Sequence, residues 1–389
     1  MPTFELSISP KYVKDWGFVE ACRELFQNSL DKQTTDPENK MFHEIIHPTD
    51  TDFQSEGEPY PGLIRIGSKN SVLSRKTLLL GETTKADDEA TIGKFGEGYK
   101  LALLVLLRGG YTVKVYNYGA KELWTPSIVH SSKYDAEVLS IDIRKYIFKS
   151  VPDHNLVFEI GNVYTKEIED LIVYNLNVKY PEDVIKSGCG TVLTNPIHKG
   201  MIFVSGLYVT TLKDEKIMYG YDFKPNAITL DRDRRMASEF NVFYATSKLW
   251  GDIGVEHHHL AVQMIEEGRP DVQYVVYNTT KRDIRTTVAE RFRESYGPKA
   301  YPVSSQAEAD KIKARFPRHR PIFVNEAHKS VLSYTIAEPV GNQKEVRARE
   351  HSPRHHMDVL LRLLKKKLSA NEISKFTDVI VMSNDWGWK

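Results

Sequence analysis

The chain has 389 residues, 41% of them hydrophobic and 27% charged, which is ordinary globular composition with room for two or three domains and a sizeable core. Its formal net charge of +1 excludes recruitment of nucleic acid or an anionic membrane by overall charge, so such a partner would need a local basic patch. Two cysteines, Cys22 and Cys189, supply neither a disulfide framework nor a metal quartet and suit a reducing compartment.

The opening residues MPTFELSISP lack a basic region followed by an apolar core, so no signal peptide is expected. The longest apolar run, Leu101 to Leu107, is too short to span a bilayer and reads as a buried helix. These features predict a cytoplasmic protein with no membrane partner.

Residues 4–9 alternate weakly, as in a short strand, and a helix is predicted over about 16–32. Cys22, Leu25, Phe26 and Leu30 give that helix an apolar side, while Glu24 and Asn28, four residues apart, stack a carboxylate over a carboxamide on one face. Residues 43–47 fit the HExxH zinc-hydrolase pattern. That chemistry needs both histidines on one helical face, whereas Met41, His43 and Ile45 alternate with Phe42, Glu44 and Ile46 ahead of Pro48. A strand would hold His43 and His47 about 13 Å apart, at ~3.3 Å per residue, too far to share a metal. A polar loop over 48–61 leads to a strand at 63–66, followed by Gly67-Ser68-Lys69-Asn70-Ser71-Val72.

Gly93, Gly96 and Gly98, with Lys94 and Phe95 among them, precede an apolar helix from Tyr99 to about Leu107, and Lys94 and Lys100 add positive charge nearby. Glycines let the backbone approach an anion, and the helix behind them offers free N–H groups and a positive dipole end. Alternating strands are predicted at 111–116, 122–125, 138–143 and 155–160, a helix at 166–176, and a strand at 191–194 behind Gly188-Cys189-Gly190.

Beyond residue 196, strands are predicted at 201–209 and 219–223, and a charged turn containing Arg232, Arg234 and Arg235 leads into a helix at 236–250. His257, His258 and His259 are adjacent and would point in different directions on a helix, so they read as structural or surface residues. Residues 272–325 alternate strand, helix, strand, helix, strand, beginning with a strand at Tyr274–Tyr277. After a polar stretch at 338–356, Met357 to Leu368 forms a basic amphipathic helix, suited either to docking a partner or to packing with a lysine-rich rim. The expected organisation is 1–196, a connecting region 197–270, and a small α/β domain 271–389.

The Glu24–Asp31 helix, the Gly93–Lys100 segment and the Gly190-Thr191 strand, in that order, resemble the motifs of the GHKL ATPase superfamily. This group includes gyrase-type topoisomerases, MutL mismatch-repair proteins, heat-shock ATPase chaperones and sensor histidine kinases. The resemblance covers roughly residues 15–195. It implies an α+β fold whose N-terminal part is an α/β sandwich, a mixed sheet with helices on one face, followed by a smaller α/β region. It also implies ATP and Mg²⁺ as cofactors. Asn28 would hold the metal, Glu24 would orient or deprotonate the attacking water, and Asp31 would support the pocket. Ser68, Asn70 and Val72 would stand where relatives carry an aspartate that accepts from adenine and two glycines, which is the largest departure from the pattern. Thr191 would lie near the base. Lys85, in a lid-like loop, is a candidate phosphate contact or a solvated lysine. An arginine among Arg232, Arg234 and Arg235 is a candidate γ-phosphate sensor or part of a salt-bridged helix start.

Relatives of this kind are mostly slow ATPases that switch a conformation or a dimer, so homodimerisation on ATP and an unidentified protein partner are expected. Two other readings compete. One is a non-hydrolysing nucleotide-sensing module, favoured by the Ser68 segment. The other is a histidine-kinase branch enzyme, for which Glu24 would be superfluous.

Overall fold

The computed structural model describes residues 2–48, 61–79, 98–147, 155–228, 239–278 and 282–336, and parts of 360–382. It divides into two compact units, residues 1–258 with 269–278, and residues 259–268 with 279–389.

The first unit holds two sheets. One has seven strands: β1 (Thr3–Glu5), β2 (Met41–Ile46), β3 (Gly62–Ser68), β4 (Thr112–Asn117), β5 (Glu122–Ser131), β6 (Ala136–Lys145) and β7 (Leu156–Val163). They lie in the order β1-β6-β5-β4-β7-β3-β2, with every pair antiparallel. Helix α1 (Phe18–Thr35) packs on β2 and β3, helix α2 (Gly98–Arg108) packs on β4 and β5, and the two helices pack on each other. They therefore share one face, and Leu25, Phe26, Ile64, Ile66, Leu103 and Trp124 are buried between the layers. The α+β class and the helices on one face are as expected. The mixed pairing, however, belongs to the other sheet.

On the far face of the seven-stranded sheet, Glu44, Arg65 and Glu159 stand opposite one another on β2, β3 and β7. Arg65 donates to Glu44 Oε2 at 2.8 Å and to Glu159 Oε2 at 2.9 Å. This period-2 division between apolar and charged residues is what a sheet with one solvated face requires. His43 and Glu44 lie in β2, as the alternation predicts, and His43 packs on Phe26 with ring centroids 5.8 Å apart.

Helix α3 (Thr165–Tyr174) packs on α1 and leads to a five-stranded sheet. Its strands are β8 (Val184–Ser187), β9 (Gly190–Leu193), β10 (Met201–Val204), β11 (Leu207–Thr211) and β12 (Gly220–Phe223), in the order β11-β10-β12-β9-β8. β10 and β12 are parallel and the other pairs antiparallel. Two expectations are corrected here. A boundary at 196 would cut through this sheet, because β9 is hydrogen-bonded to β12. The strand expected over 201–209 is instead a hairpin, turning at Ser205 and Gly206 with φ of 52° and 76°. Two successive positive φ values give the tight turn that matches strand twist.

Helix α4 (Glu239–Gly251) covers one side of this sheet, with Trp250 Nε1 donating to Tyr221 Oη at 2.9 Å. Residues 275–278 form a short helix on α4, not the expected strand, and Ser247 Oγ accepts from the Tyr274 N–H. Four apolar residues in a row fit either state, and packing decided.

The second unit contains α5 (His258–Glu267) from its second residue onward, and α7 (Arg282–Tyr296), taking residues 275–278 as α6. A parallel pair follows, β13 (Ala300–Val303) and β14 (Arg320–Phe323), joined through α8 (Gln306–Arg315). Helices α9 (Glu326–Leu332) and α10 (Ala370–Met382) complete it. Val303, Ala309 and Ile312 form a small core there. The basic helix expected at Met357–Leu368 lies largely outside the described residues, as do Arg232, Arg234 and Arg235.

Candidate functional site

Helix α1 begins at Phe18, where Glu20 Oε2 accepts from the Gly17 N–H at 2.8 Å. The approach to it is fixed from the other end of α2. Arg108 Nη1 donates to the Pro10 and Tyr12 carbonyls, and Nη2 to those of Val13 and Trp16, at 2.8 to 3.2 Å. Sequence reasoning passed over Arg108, whose role depends on a segment more than ninety positions away.

Cys22, Leu25, Phe26 and Ser29 bury one side of α1. Spacings of three and four residues place Glu24, Gln27, Asn28 and Asp31 on the opposite side. That side is not solvated. Glu24, Gln27 and Asp31 are each 1% exposed, while Asn28 is half-buried. Arg23 Nη2 lies 3.5 Å from Glu24 Oε1, and its guanidinium sits 5.6 Å from the Trp16 ring centroid. Among the described residues, neither amide atom of buried Gln27 has a hydrogen-bond partner. Leaving an amide unpaired costs about 1–3 kcal/mol, which singles out Gln27 among the buried polar groups of this face. Gln27 also escaped the sequence analysis, although its spacing from Glu24 and Asp31 marks it.

Helix α2 starts against this polar face. A Cβ added at Gly98 would collide with Glu24 Oε2 and lie 3.8 Å from Asn28 Nδ2. Only glycine lets the backbone come this close without displacing the carboxylate. The first described turn of α2, with its positive dipole end, is thereby set beside a carboxylate and a carboxamide. Lys100, expected to add charge for a ligand, is fully buried, and its Nζ donates to the Leu79 carbonyl at 2.7 Å. Its neighbour Tyr99 bonds Thr77 Oγ1 at 2.9 Å, and burial pushes the phenol up to about 12. Lys85, Gly93, Lys94, Phe95 and Gly96 lie outside the described residues.

Ser68 ends β3 on the side of the sheet that carries Ile64 and Ile66, facing the helices, and is buried. Asn70 follows with φ of 50° and donates from Nδ2 to the Glu38 carbonyl at 3.3 Å, bracing the loop after α1. Asn117, fully buried, fixes the next stretch, giving 2.8 Å to the Leu73 carbonyl and accepting from the Leu73 N–H at 3.3 Å.

Thr191 is not part of this arrangement. It lies on β9 of the five-stranded sheet, and both edges of β9 are taken, by β8 and by β12. The strand of that sheet nearest α1 is β11, three strand spacings from β9, or about 14 Å.

The assembled groups suit one kind of chemistry. A helix N-terminus can hold an anion, an amide oxygen is a hard ligand for a small divalent cation, and a buried carboxylate can take a proton from water. Among the described residues, no cluster of three or more His, Cys, Asp or Glu side chains could hold a metal on its own. In comparisons with known proteins, the chain matches no protein-family model and no curated protein.

Proposed function

We propose that the chain binds Mg²⁺–ATP on the α1 face and hydrolyses it slowly in the manner of GHKL ATPases, using the nucleotide to switch conformation or self-association. The observation that carries this reading is the contact of Gly98 with Glu24 and Asn28, which sets a helix N-terminus beside an acid and an amide. Asn28 would hold Mg²⁺ through its amide oxygen, and the ion would neutralise charge on the phosphates. Glu24 orients the water and accepts its proton. Asp31 supports the pocket from the next turn, and Ser68 faces the base side with a hydroxyl in place of a carboxylate. The first N–H groups of α2 bind phosphate oxygens. A cytoplasmic setting belongs to this reading, and no helix among the described residues is long and apolar enough to cross a membrane.

The test is Mg²⁺-dependent ATP binding and phosphate release by the full chain. Glu24→Ala is expected to bind ATP and lose turnover by about 10²–10⁴-fold, and Asn28→Ala to lose the Mg²⁺ dependence of binding. Light scattering with a non-hydrolysable analogue tests self-association, and a monomeric mass at saturation overturns that part. The second reading, a nucleotide sensor without hydrolysis, is favoured by Arg23 lying 3.5 Å from the Glu24 carboxylate. ATP binding with no release above that of Glu24→Ala would establish it in place of the first.

A further inference from the structure

The five-stranded sheet carries a polar row that the nucleotide reading does not use. Lys186, Thr191 and Asp222 stand directly opposite one another on β8, β9 and β12 and so project from the same face. The same face is apolar further along, where Leu193, Met201 and Phe203 pack with Leu176. Where that cover stops, a cavity of about 270 Å³ opens, lined by Lys186, Ser187, Thr191, Ser205, Asp222 and Lys224, among others.

The walls of this cavity are fixed. Asp222 Oδ1 accepts from the Gly206 N–H at 2.8 Å, and Oδ2 accepts from Tyr180 Oη at 3.4 Å. Asn177 Nδ2 donates to the Ser205 carbonyl at 2.9 Å, so the turn bearing Ser205 is held from two sides. Lys224 Nζ donates to the Gly188 carbonyl at 2.7 Å, which leaves its other N–H donors for the cavity.

The charged side chains that line the cavity are two lysines and one aspartate, and Asp252 lies behind Gly188, where its Oδ2 accepts from the Gly188 N–H at 3.0 Å. Lys186 and Asp222 are two strands apart, about 10 Å between backbones, and make no ion pair. Among the described residues neither Lys186 nor Lys224 has an acidic partner, and Asp222 is occupied by Gly206 and Tyr180. Burial pushes the Asp222 carboxyl up to about 6, which further weakens its opposition to an anion. Two ammonium groups and the hydroxyls of Ser187 and Ser205 offer donors from several directions, as a tetrahedral dianion requires. The volume exceeds that of a phosphate group alone, given about 30 Å³ for a single water.

We propose that this cavity binds the phosphate of a small phosphomonoester, at a site separate from the α1 face and independent of whether the chain hydrolyses ATP. Calorimetry on the full chain in low-salt chloride buffer, with inorganic phosphate and with glycerol 3-phosphate as probes, tests it. Saturable binding of glycerol 3-phosphate is expected. Both lysines are exposed, so their removal leaves the core intact, and Lys186→Ala/Lys224→Ala should weaken binding at least about tenfold. Asp222→Asn keeps an acceptor for Gly206 and removes the opposing charge, so it should tighten binding. Asn28→Ala should bind as wild type does. Tighter binding of glycerol 3-phosphate than of inorganic phosphate supports a phosphomonoester, whereas equal or weaker binding overturns it in favour of free phosphate. Absence of saturable binding, full binding by the double lysine variant, or loss of binding in Asn28→Ala overturns the proposal. The last outcome would mean that the probe sits at the nucleotide site, so the two readings fail separately.

Discussion

The two sheets of the first unit dispose of their faces in opposite ways. The seven-stranded sheet buries one face under α1 and α2 and leaves the other to the Glu44–Arg65–Glu159 ladder. The five-stranded sheet is covered on one face by α4 and, along part of the other, by the cluster around Phe203. Its β10 is buried at all four positions. A half-solvated sheet writes its inside and outside into the sequence as alternation, whereas a sheet buried on both faces writes only a continuous apolar run. Polar groups therefore mean different things in each. On the first sheet's open face they are solvated and contribute little, while within the second they are either part of a satisfied network or at the edge of a cavity.

The largest effect should come from the layer that both helices share. Phe26→Ala is expected to cost about 3–5 kcal/mol in urea unfolding, because the ring is fully buried against the sheet. A loss under about 1 kcal/mol would show that α1 is not seated as described. Next is the buried network of the second sheet, where Tyr221 Oη donates to Asp271 Oδ1 and accepts from Trp250. Tyr221→Phe removes the partner of Asp271 Oδ1 and of Trp250 Nε1, leaving the Asp271 carboxylate with the Met218 N–H on Oδ2, and should cost about 1–3 kcal/mol. A neutral result would reduce that sheet to generic apolar packing.

The pH dependence separates the two units. Asp222 in the first unit is raised by burial from 3.8 to about 6, so its folded form holds a proton more tightly than the unfolded chain. The stability it contributes is present below its unfolded pKa and is lost as pH rises through about 6. His328, in the second unit, is lowered by burial from 6.5 to about 4, and its Nε2 has no partner among the described residues. Its sign is opposite, because stability falls as pH drops from 6.5 toward 4, where the unfolded chain takes up the proton first. Urea titrations across this range should show Asp222→Asn flattening the first trend and His328→Gln the second. Parallel slopes for wild type and variant would break the assignment. The smallest effect belongs to the open face. Arg65→Met should change stability by about 1 kcal/mol or less, since its partner Glu44 is half exposed.

Much of the first sheet was legible. The helical spacing of Cys22, Leu25, Phe26 and Leu30 specifies α1, and the strand read at 63–66 lies within β3. The strand at 41–46 that disposes of the zinc pattern was legible for the same reason. The hairpin at 201–211 was less so, because Ser205 adopts a positive φ that its residue type does not announce. The short helix at 275–278 was misread because its apolar run has no period of its own and takes its form from α4.

The sequence by itself determined what lies within a helical turn or a strand: Glu24 over Asn28, glycine at the head of α2, and the charged and apolar sides of β3. Tertiary structure decided which strand pairs with which and what covers a polar face. Thr191 sits in the second sheet because β8 and β12 occupy both edges of its strand. Gln27 is buried and Lys100 is committed to the Leu79 carbonyl because distant segments close over them. Side-chain periodicity is a local property of the backbone, whereas edge pairing and burial are settled between residues far apart in the chain, where local pattern carries no address.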